Sequence, residues 1–237
     1  MALAIIAAVT AVASCKTVYV PNTVNAPLLQ EKGELRANLN ANNLQAAYAV
    51  SDGMGVLANG FYESSSGDQA AASGQDGRGY LLELGAGHFR PLGDGAVFEA
   101  YGGAGYGHVR HDNWETTNGV RSNYKFATSA VKAFVQPSLG ITRTYFDAVV
   151  ATRFVGLRAF GTDTFNYTQE RLREDNLLGI DQRTWLFVEP AVTLRAGYKW
   201  VKAFFQYGYS FKLNEAALNR DETFATIGIH VDLAPRF

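Results

Sequence analysis

Apolar and polar side chains alternate at every second position from Gly33 almost to the end of the 237-residue chain. In the stretch 186–196, one parity carries Leu, Val, Pro, Val, Leu and Ala, and the other carries Phe, Glu, Ala, Thr and Arg. Because successive side chains of a β-strand point to opposite faces, this pattern predicts strands with one apolar and one polar face. No convincing 3.6-residue repeat interrupts it, so the sequence predicts an all-β fold.

The alternation divides the chain into ten predicted strands, most of them longer than the roughly 5–6 residues that are usual in globular proteins. They lie at about 33–41, 43–50, 54–63, 78–90, 95–110, 124–142, 144–160, 182–197, 199–213 and 222–236. A tilted strand needs roughly 9–11 residues to cross a bilayer, and several of these are long enough.

The connections between these strands alternate between short turns and long polar loops. The long loops fall near 64–77, 111–123, 161–181 and 214–221. Bacterial outer-membrane barrels have short periplasmic turns and longer external loops. The sequence therefore predicts a closed antiparallel up-and-down transmembrane β-barrel of about ten strands over residues 33–237.

The alternation alone does not say which face of the barrel is inside. A lipocalin-like soluble barrel would place the apolar face around a ligand cavity and the polar face in water. A face in water would be crowded with Lys, Glu and Asp, yet each predicted strand has only one or two charges among Gly, Ser, Thr and Gln. Small and sparsely charged side chains suit a narrow lumen, so we expect the apolar face to meet lipid.

The predicted lumen contains five carboxylates and five permanent cations. They are Arg36, Glu83, Glu99, Lys132, Asp147, Arg153, Glu189, Arg195, Lys202 and Asp232. Desolvating a lone charge costs several kcal/mol, so these groups are expected to pair. The balance of signs favours a network of salt bridges that holds the walls together, with a charged constriction that selects solutes as the alternative.

Composition excludes several classes of function. With 21 basic and 22 acidic residues the chain lacks the positive excess of a nucleic-acid binder, and we expect no nucleic-acid partner. A single cysteine excludes an internal disulfide and a multi-thiolate metal site. The four histidines, His88, His108, His111 and His230, have no nucleophile at a spacing that compels catalysis. We therefore expect no enzymatic activity, no metal and no cofactor.

The amino terminus has the properties of an export signal. Residues 2–14 carry no charge and form an apolar run too short to span a membrane. Val12-Ala13-Ser14-Cys15 resembles a bacterial lipobox, which implies a signal peptide over 1–14, cleavage before Cys15 and acylation of that cysteine, for example with palmitate. No Lys or Arg precedes the run, which departs from the usual pattern. Residues 15–32 contain two prolines and no period, and we expect an extended periplasmic tether.

The carboxyl terminus ends on an aromatic residue, Phe237, which closes the alternation of the last predicted strand. This ending resembles the insertion signal by which bacterial outer-membrane barrels are handed to the barrel-assembly machinery. The resemblance implies that this machinery is a partner during biogenesis.

Four short motifs resemble the opening of small lipoprotein-type β-barrels of the Bacteroidota outer membrane. They are Val20-Pro21-Asn22, Ala26-Pro27-Leu28-Leu29, Glu31-Lys32-Gly33-Glu34 and Asn43-Leu44-Gln45-Ala46-Ala47-Tyr48. The strand layout beyond them is similar, and the resemblance implies a fold and a location more than an activity.

The expected protein is a non-enzymatic outer-membrane barrel, lipid-anchored at Cys15, with a salt-bridged polar lumen. Its role would be structural or recognition-based, through external loops that contact an envelope protein partner. The alternatives are a narrow passive channel for small solutes and a soluble lipocalin-like ligand-binding lipoprotein.

Overall fold

The computed structural model describes residues 17–234, and this part of the chain is almost entirely β-strand. The strands are β1 (Leu35–Leu39), β2 (Asn43–Ala49), β3 (Met54–Ser65), β4 (Ser73–Gly93), β5 (Ala96–Thr117), β6 (Val120–Thr142), β7 (Phe146–Phe165), β8 (Thr184–Tyr198), β9 (Val201–Tyr209), β10 (Phe211–Lys212) and β11 (Thr223–Leu233). One α-helix, α1 (Gln169–Glu174), and one 3-10 turn (Ile180–Gln182) lie between β7 and β8. Within residues 17–234 no helix is long and apolar enough to span a bilayer.

The strands form one antiparallel sheet that closes into a ring. Each strand from β1 to β8 pairs with the next, while β11 pairs with both β1 and β9, and β9 pairs with β8. The short β10 continues β9 beyond Ser210 and pairs with β8 through Phe211 and Val188. The eleven strands thus occupy ten positions around the ring, and the prediction of an all-β antiparallel fold is confirmed.

Strands β4 to β7 are longer than the alternation predicts, with 21, 22, 23 and 20 residues. Parts of the predicted loops 64–77 and 111–123 are strand, as in the pairing of Gln75 with Asn113. Asn118 and Gly119, both at positive φ, make a tight turn between β5 and β6, as two-residue hairpins require. The prediction of long loops here was wrong because most side chains on both faces of these extensions are polar, with Trp114 and Val120 as exceptions, so alternation stops while backbone pairing continues.

The ring has two distinct ends. One, which we call the short-turn end, carries the turns 50–53, 94–95, 143–145 and 199–200. The other, the long-loop end, carries the connections 66–72, 166–183 and 213–222 together with the turns 40–42 and 118–119.

An extended segment of the chain fills the ring. Residues 19–29, which we call the plug, are buried along almost their whole length. At the long-loop end, the amide of Val18 donates a 2.8 Å hydrogen bond to the carbonyl oxygen of Asn219. At the short-turn end, Leu29 packs so close to Gly55 that an added Cβ there would lie 2.7 Å from Leu29 Cδ1. The plug therefore runs the length of the lumen.

The plug corrects the expectation of a periplasmic tether over 15–32. Its backbone lacks regular secondary structure apart from one β-bridge between Tyr19 and Arg220, as two prolines and no period indicate. The described residues 17–32 nevertheless do not lie outside the ring as a free tether. Leu28 and Leu29 pack in an apolar cluster with Tyr101, and Tyr19 stacks on Phe187 at 5.0 Å in a second cluster. Burial of these side chains holds the segment inside.

Candidate functional site

All ten charged residues assigned to the lumen by sequence point into the ring, and none is more than 2% exposed. They are Arg36, Glu83, Glu99, Lys132, Asp147, Arg153, Glu189, Arg195, Lys202 and Asp232. Each belongs to an inward-facing parity whose outward neighbours are apolar, so the alternation of the strand places the charge. The structure sorts them into separate groups along the plug.

The first group is centred on Glu83 of β4. Its Oε1 lies 2.8 Å from Lys132 Nζ and 3.6 Å from Arg153 Nη1. Its Oε2 accepts hydrogen bonds of 3.0 Å from Asn59 and 3.2 Å from Asn22 of the plug. The carboxylate therefore has two cations from the wall and one amide from the plug, which offsets the cost of its desolvation.

The second group is centred on Asp147 of β7, near the short-turn end. Lys202 Nζ donates a 2.6 Å hydrogen bond to Asp147 Oδ1, and Thr142 Oγ1 donates one of 2.7 Å to the same oxygen. Arg195 Nη1 lies 3.7 Å from Asp147 Oδ2. This carboxylate therefore ties together four consecutive strands, β6 to β9.

The third group joins Arg36 of β1 to Asp232 of β11, whose oxygen lies 3.1 Å from Arg36 Nη2. Glu34 lies 2.6 Å from the same nitrogen and is fully buried. The sequence analysis missed Glu34, although its parity matches that of Arg36 within the predicted strand 33–41. With Glu34, this set of buried residues comprises six carboxylates and five cations.

Two carboxylates bind the plug without a salt bridge to Lys or Arg among residues 17–234. Glu99 Oε1 accepts a 2.9 Å hydrogen bond from the amide of Leu29, and Ser138 donates to Oε2 at 3.3 Å. Glu189 accepts a 2.8 Å hydrogen bond from the hydroxyl of Tyr19. These carboxylates act as acceptors for plug donors.

Three arginines of the wall donate hydrogen bonds to carbonyl oxygens of the plug. Arg195 Nη2 donates to Ala26 O at 2.6 Å, and Arg36 Nη1 donates to Pro27 O at 2.7 Å. Arg153 Nη2 donates to the carbonyl of Thr23 at 3.4 Å. The arginines thus satisfy buried backbone acceptors as well as pairing with acids.

Glutamines of the wall complete the binding of the plug backbone. Gln206 accepts a 2.7 Å hydrogen bond from Val24 N and donates one of 2.9 Å to Val24 O. Gln136 donates to Asn25 O, and Gln45 donates to Thr23 O, both at 2.8 Å. Sequence reasoning missed these amides, although all three stand at inward parity on predicted strands. Side chains of the lumen therefore bind the plug largely through its backbone groups.

The side chains of all four histidines form hydrogen bonds with other residues of the protein. His88 and His108 are on the outward parity, and His230 Nδ1 lies 2.7 Å from the side-chain oxygen of Asn38. His111 is buried between Gln75 and the carbonyl of Thr17. No group of three His, Cys, Asp or Glu residues within 17–234 is placed to hold a metal ion.

The acylation site at Cys15 and the insertion signal at Phe237 lie outside the described residues, as does the signal peptide 1–14. They remain predictions from the sequence. In comparisons with known proteins, no protein-family model, no curated protein and no solved structure matches this chain.

Proposed function

We propose that this chain is a non-enzymatic outer-membrane β-barrel lipoprotein whose lumen is closed by its own plug. Its role is structural or recognition-based, and its contact surface for an envelope partner is the long-loop end. Membrane lipid would surround the ring, and the barrel-assembly machinery would insert it.

The observation that supports this proposal is the distribution of side chains, which is the reverse of that in a soluble protein: charged residues are inside the ring and apolar residues are outside. The ten lumen charges are buried, whereas Leu84 is 70% exposed, Ile227 63% and Val192 47%. Apolar side chains of this kind occupy the outward face of every strand position around the ring. Soluble monomers rarely expose a continuous apolar patch beyond a few hundred Å². A lipid environment removes the cost of such a surface.

Aromatic side chains border the apolar surface at both ends. At the short-turn end Tyr145 and Tyr198 stack at 5.6 Å, and at the long-loop end Tyr80 and Tyr106 lie 6.2 Å apart. From Tyr80, β4 runs ten residues to Arg90, which at about 3.3 Å per residue and a tilt of about 40° spans roughly 25 Å. Aromatic girdles around an apolar band of about 25 Å are typical of outer-membrane barrels.

The two alternatives receive less support. A lipocalin-like soluble protein requires an apolar interior and a charged exterior, the opposite of the burial pattern described. A passive channel requires a free path, whereas the plug is hydrogen-bonded to the wall from Tyr19 to Leu29. Conduction would need the plug to leave the lumen.

The position of the plug also indicates on which side of the membrane the acyl anchor would lie. Barrels of this class keep their short turns in the periplasm, so the long-loop end would face outward. Thr17, the first described residue, lies at the long-loop end, where its carbonyl contacts His111. An acyl chain on Cys15, two residues earlier, would then be held at the outer surface and not at a periplasmic tether.

Anchor placement can be tested on intact cells. A protease site inserted after Lys16 should be cut by protease added outside the cells. Cutting only after the outer membrane is broken would place the anchor on the periplasmic side and contradict this part of the proposal.

The integral barrel is tested by heat-modifiable gel mobility and by extraction. The protein should migrate differently before and after boiling, because closed barrels resist detergent when cold. A variant with Cys15→Ala and an ordinary cleavable signal should stay in membranes washed with alkaline carbonate. Release by carbonate, without any heat-dependent change in mobility, would overturn the proposal.

A further inference from the structure

A cavity lies inside the ring at the long-loop end, beside the first residues of the plug. Residues 17–20 form one side of it, and strands β3 to β8 form the others. The space between atoms within it and at its open, solvent-filled mouth is together about 970 Å³. Its apolar walls include Val18, Phe61, Leu81, Val109, Leu157 and Trp185. Most of the remaining lumen is occupied by the plug and its polar partners, so this apolar chamber is a separate feature.

The polar groups of the cavity wall include donors, among them Arg78 and Ser65, and several hydrogen-bond acceptors. His111 is fully engaged: Nε2 donates to Thr17 O at 2.8 Å, so Nδ1 accepts from Gln75 Nε2 at 2.6 Å. The side-chain oxygen of Gln75 is then buried without a hydrogen-bond partner among residues 17–234. The carboxylates of Glu63 and Asp221 also line the cavity.

Neither carboxylate forms a salt bridge within the described part of the chain. Both are partly buried and close enough to repel each other. Burial raises the pKa of Asp221, which lies in the loop between β10 and β11, while a hydrogen bond with the side chain of Thr17 acts in the opposite direction. Two partly desolvated acids without a counter-ion create a negative potential that an ammonium group would relieve.

We propose that this cavity binds a small apolar molecule that carries a protonated amine. The apolar body would contact Leu81, Leu157 and Trp185, and the ammonium would donate to Glu63, Asp221 and the free oxygen of Gln75. A mostly apolar chamber with a few convergent polar groups is the usual form of a small-molecule site. The ligand site does not depend on the structural or recognition role proposed above, but its test in lipid rests on the proposed membrane barrel.

Three probes with one apolar body test the proposal: 1-aminoadamantane, 1-adamantanol and adamantane-1-carboxylate. Binding is measured by calorimetry on the full chain in lipid nanodiscs, with empty nanodiscs as the blank. The amine should bind at one site, about tenfold more tightly than the alcohol, because a charged hydrogen bond is stronger than a neutral one. The carboxylate should bind most weakly. Equal affinity for all three, or no binding above the blank, would overturn the proposal.

A matched pair of variants on β6 locates the site. Ala130 lines the cavity, whereas Ala133 is exposed on the outward face of the same strand. Ala130→Phe should abolish amine binding, and Ala133→Phe should leave it unchanged. Equal effects of the two variants would contradict binding in the cavity.

Charge-removing variants test the recognition of the amine without filling the cavity. Glu63→Gln and Asp221→Asn should each weaken binding of the amine about tenfold and leave binding of the alcohol unchanged. Heat-modifiable mobility verifies that each variant is folded. If Ala130→Phe does not fold, these two variants still decide the question: an unchanged preference for the amine over the alcohol would overturn the proposal.

Discussion

Arg195 of β8 donates a 2.6 Å hydrogen bond to the carbonyl oxygen of Ala26, which lies 169 residues earlier in the chain. The same guanidinium lies 3.7 Å from Asp147. This one guanidinium therefore pairs with a carboxylate of the wall and also donates a hydrogen bond to the backbone of the plug. The charges of the lumen and the plug form one unit, in which the plug supplies hydrogen bonds that water would supply in an open channel.

The hydrogen bonds between Gln206 and Val24 predict a specific loss of stability. Gln206→Met keeps the volume but leaves Val24 N and Val24 O buried without partners. An unsatisfied buried polar group costs about 1–3 kcal/mol, so we expect a loss of about 2–4 kcal/mol. Urea unfolding in lipid vesicles measures it. The control, Gln169→Met at the exposed start of α1, should change stability by less than about 0.5 kcal/mol; equal effects would show that the plug contributes little.

The Glu83 group predicts a large contrast between buried and exposed ion pairs. Glu83→Gln leaves Lys132 without its carboxylate at a fully buried position, which should cost about 3–5 kcal/mol. Asp112→Asn breaks a partly exposed pair with Arg110 and should cost less than about 1 kcal/mol. The free energies of unfolding of the two variants test this. A Glu83→Gln protein as stable as the parent would mean that the lumen is hydrated.

If the outward face meets lipid as proposed, the cost of a charge on it should depend on the depth of that charge in the bilayer. Val192→Arg places a charge near the middle of the apolar band and should destabilise the folded protein by about 2–4 kcal/mol. Leu213→Arg, just beyond β10 at the edge of the band, should cost about 0–1 kcal/mol. Folding yield into vesicles at a series of urea concentrations measures both. Similar small costs at the two positions would place Val192 in water.

The plug predicts that the intact protein does not conduct ions. Lys32 is exposed at the short-turn end, so cleavage at a protease site inserted there would separate the plug from the ring of strands. Full-length protein in a planar bilayer should be silent, and cleavage followed by a urea wash should give stable unitary currents. Uncut protein with the site inserted is the control. Currents from uncut protein would identify an open channel instead.

Much of the wall was predictable from sequence because alternation is a local property. Glu189 and Arg195 flank apolar positions on β8, and their inward direction follows from a period of two residues. The part of β5 near the long-loop end was not predictable in this way, since Arg110 and Asp112 stand where apolar residues would be expected on its outward face. Beyond the apolar band, pairing depends on the backbone of the neighbouring strand, which the pattern of one strand does not reveal.

The plug was not predictable because its partners are far apart in sequence. Val24 binds a residue 182 positions away, and Asn25 binds one 111 positions away. Nothing local distinguishes such a segment from a free linker. The inward amides Gln45, Gln136 and Gln206 were a usable indication, because they are more than a salt-bridged lumen alone requires.

Fluorescence quenching from lipid can measure whether the apolar face of the ring meets a bilayer. In a chain with Cys15→Ala, a single NBD label is attached to Val192→Cys or Leu84→Cys, and the protein is placed in vesicles of lipids brominated in mid-chain. We expect strong quenching of these labels by the brominated lipids and none by aqueous iodide. A label at Asn123→Cys, in the extension of β6, should show the reverse. Iodide quenching at Val192 and Leu84, without quenching by brominated lipid, would contradict the proposal.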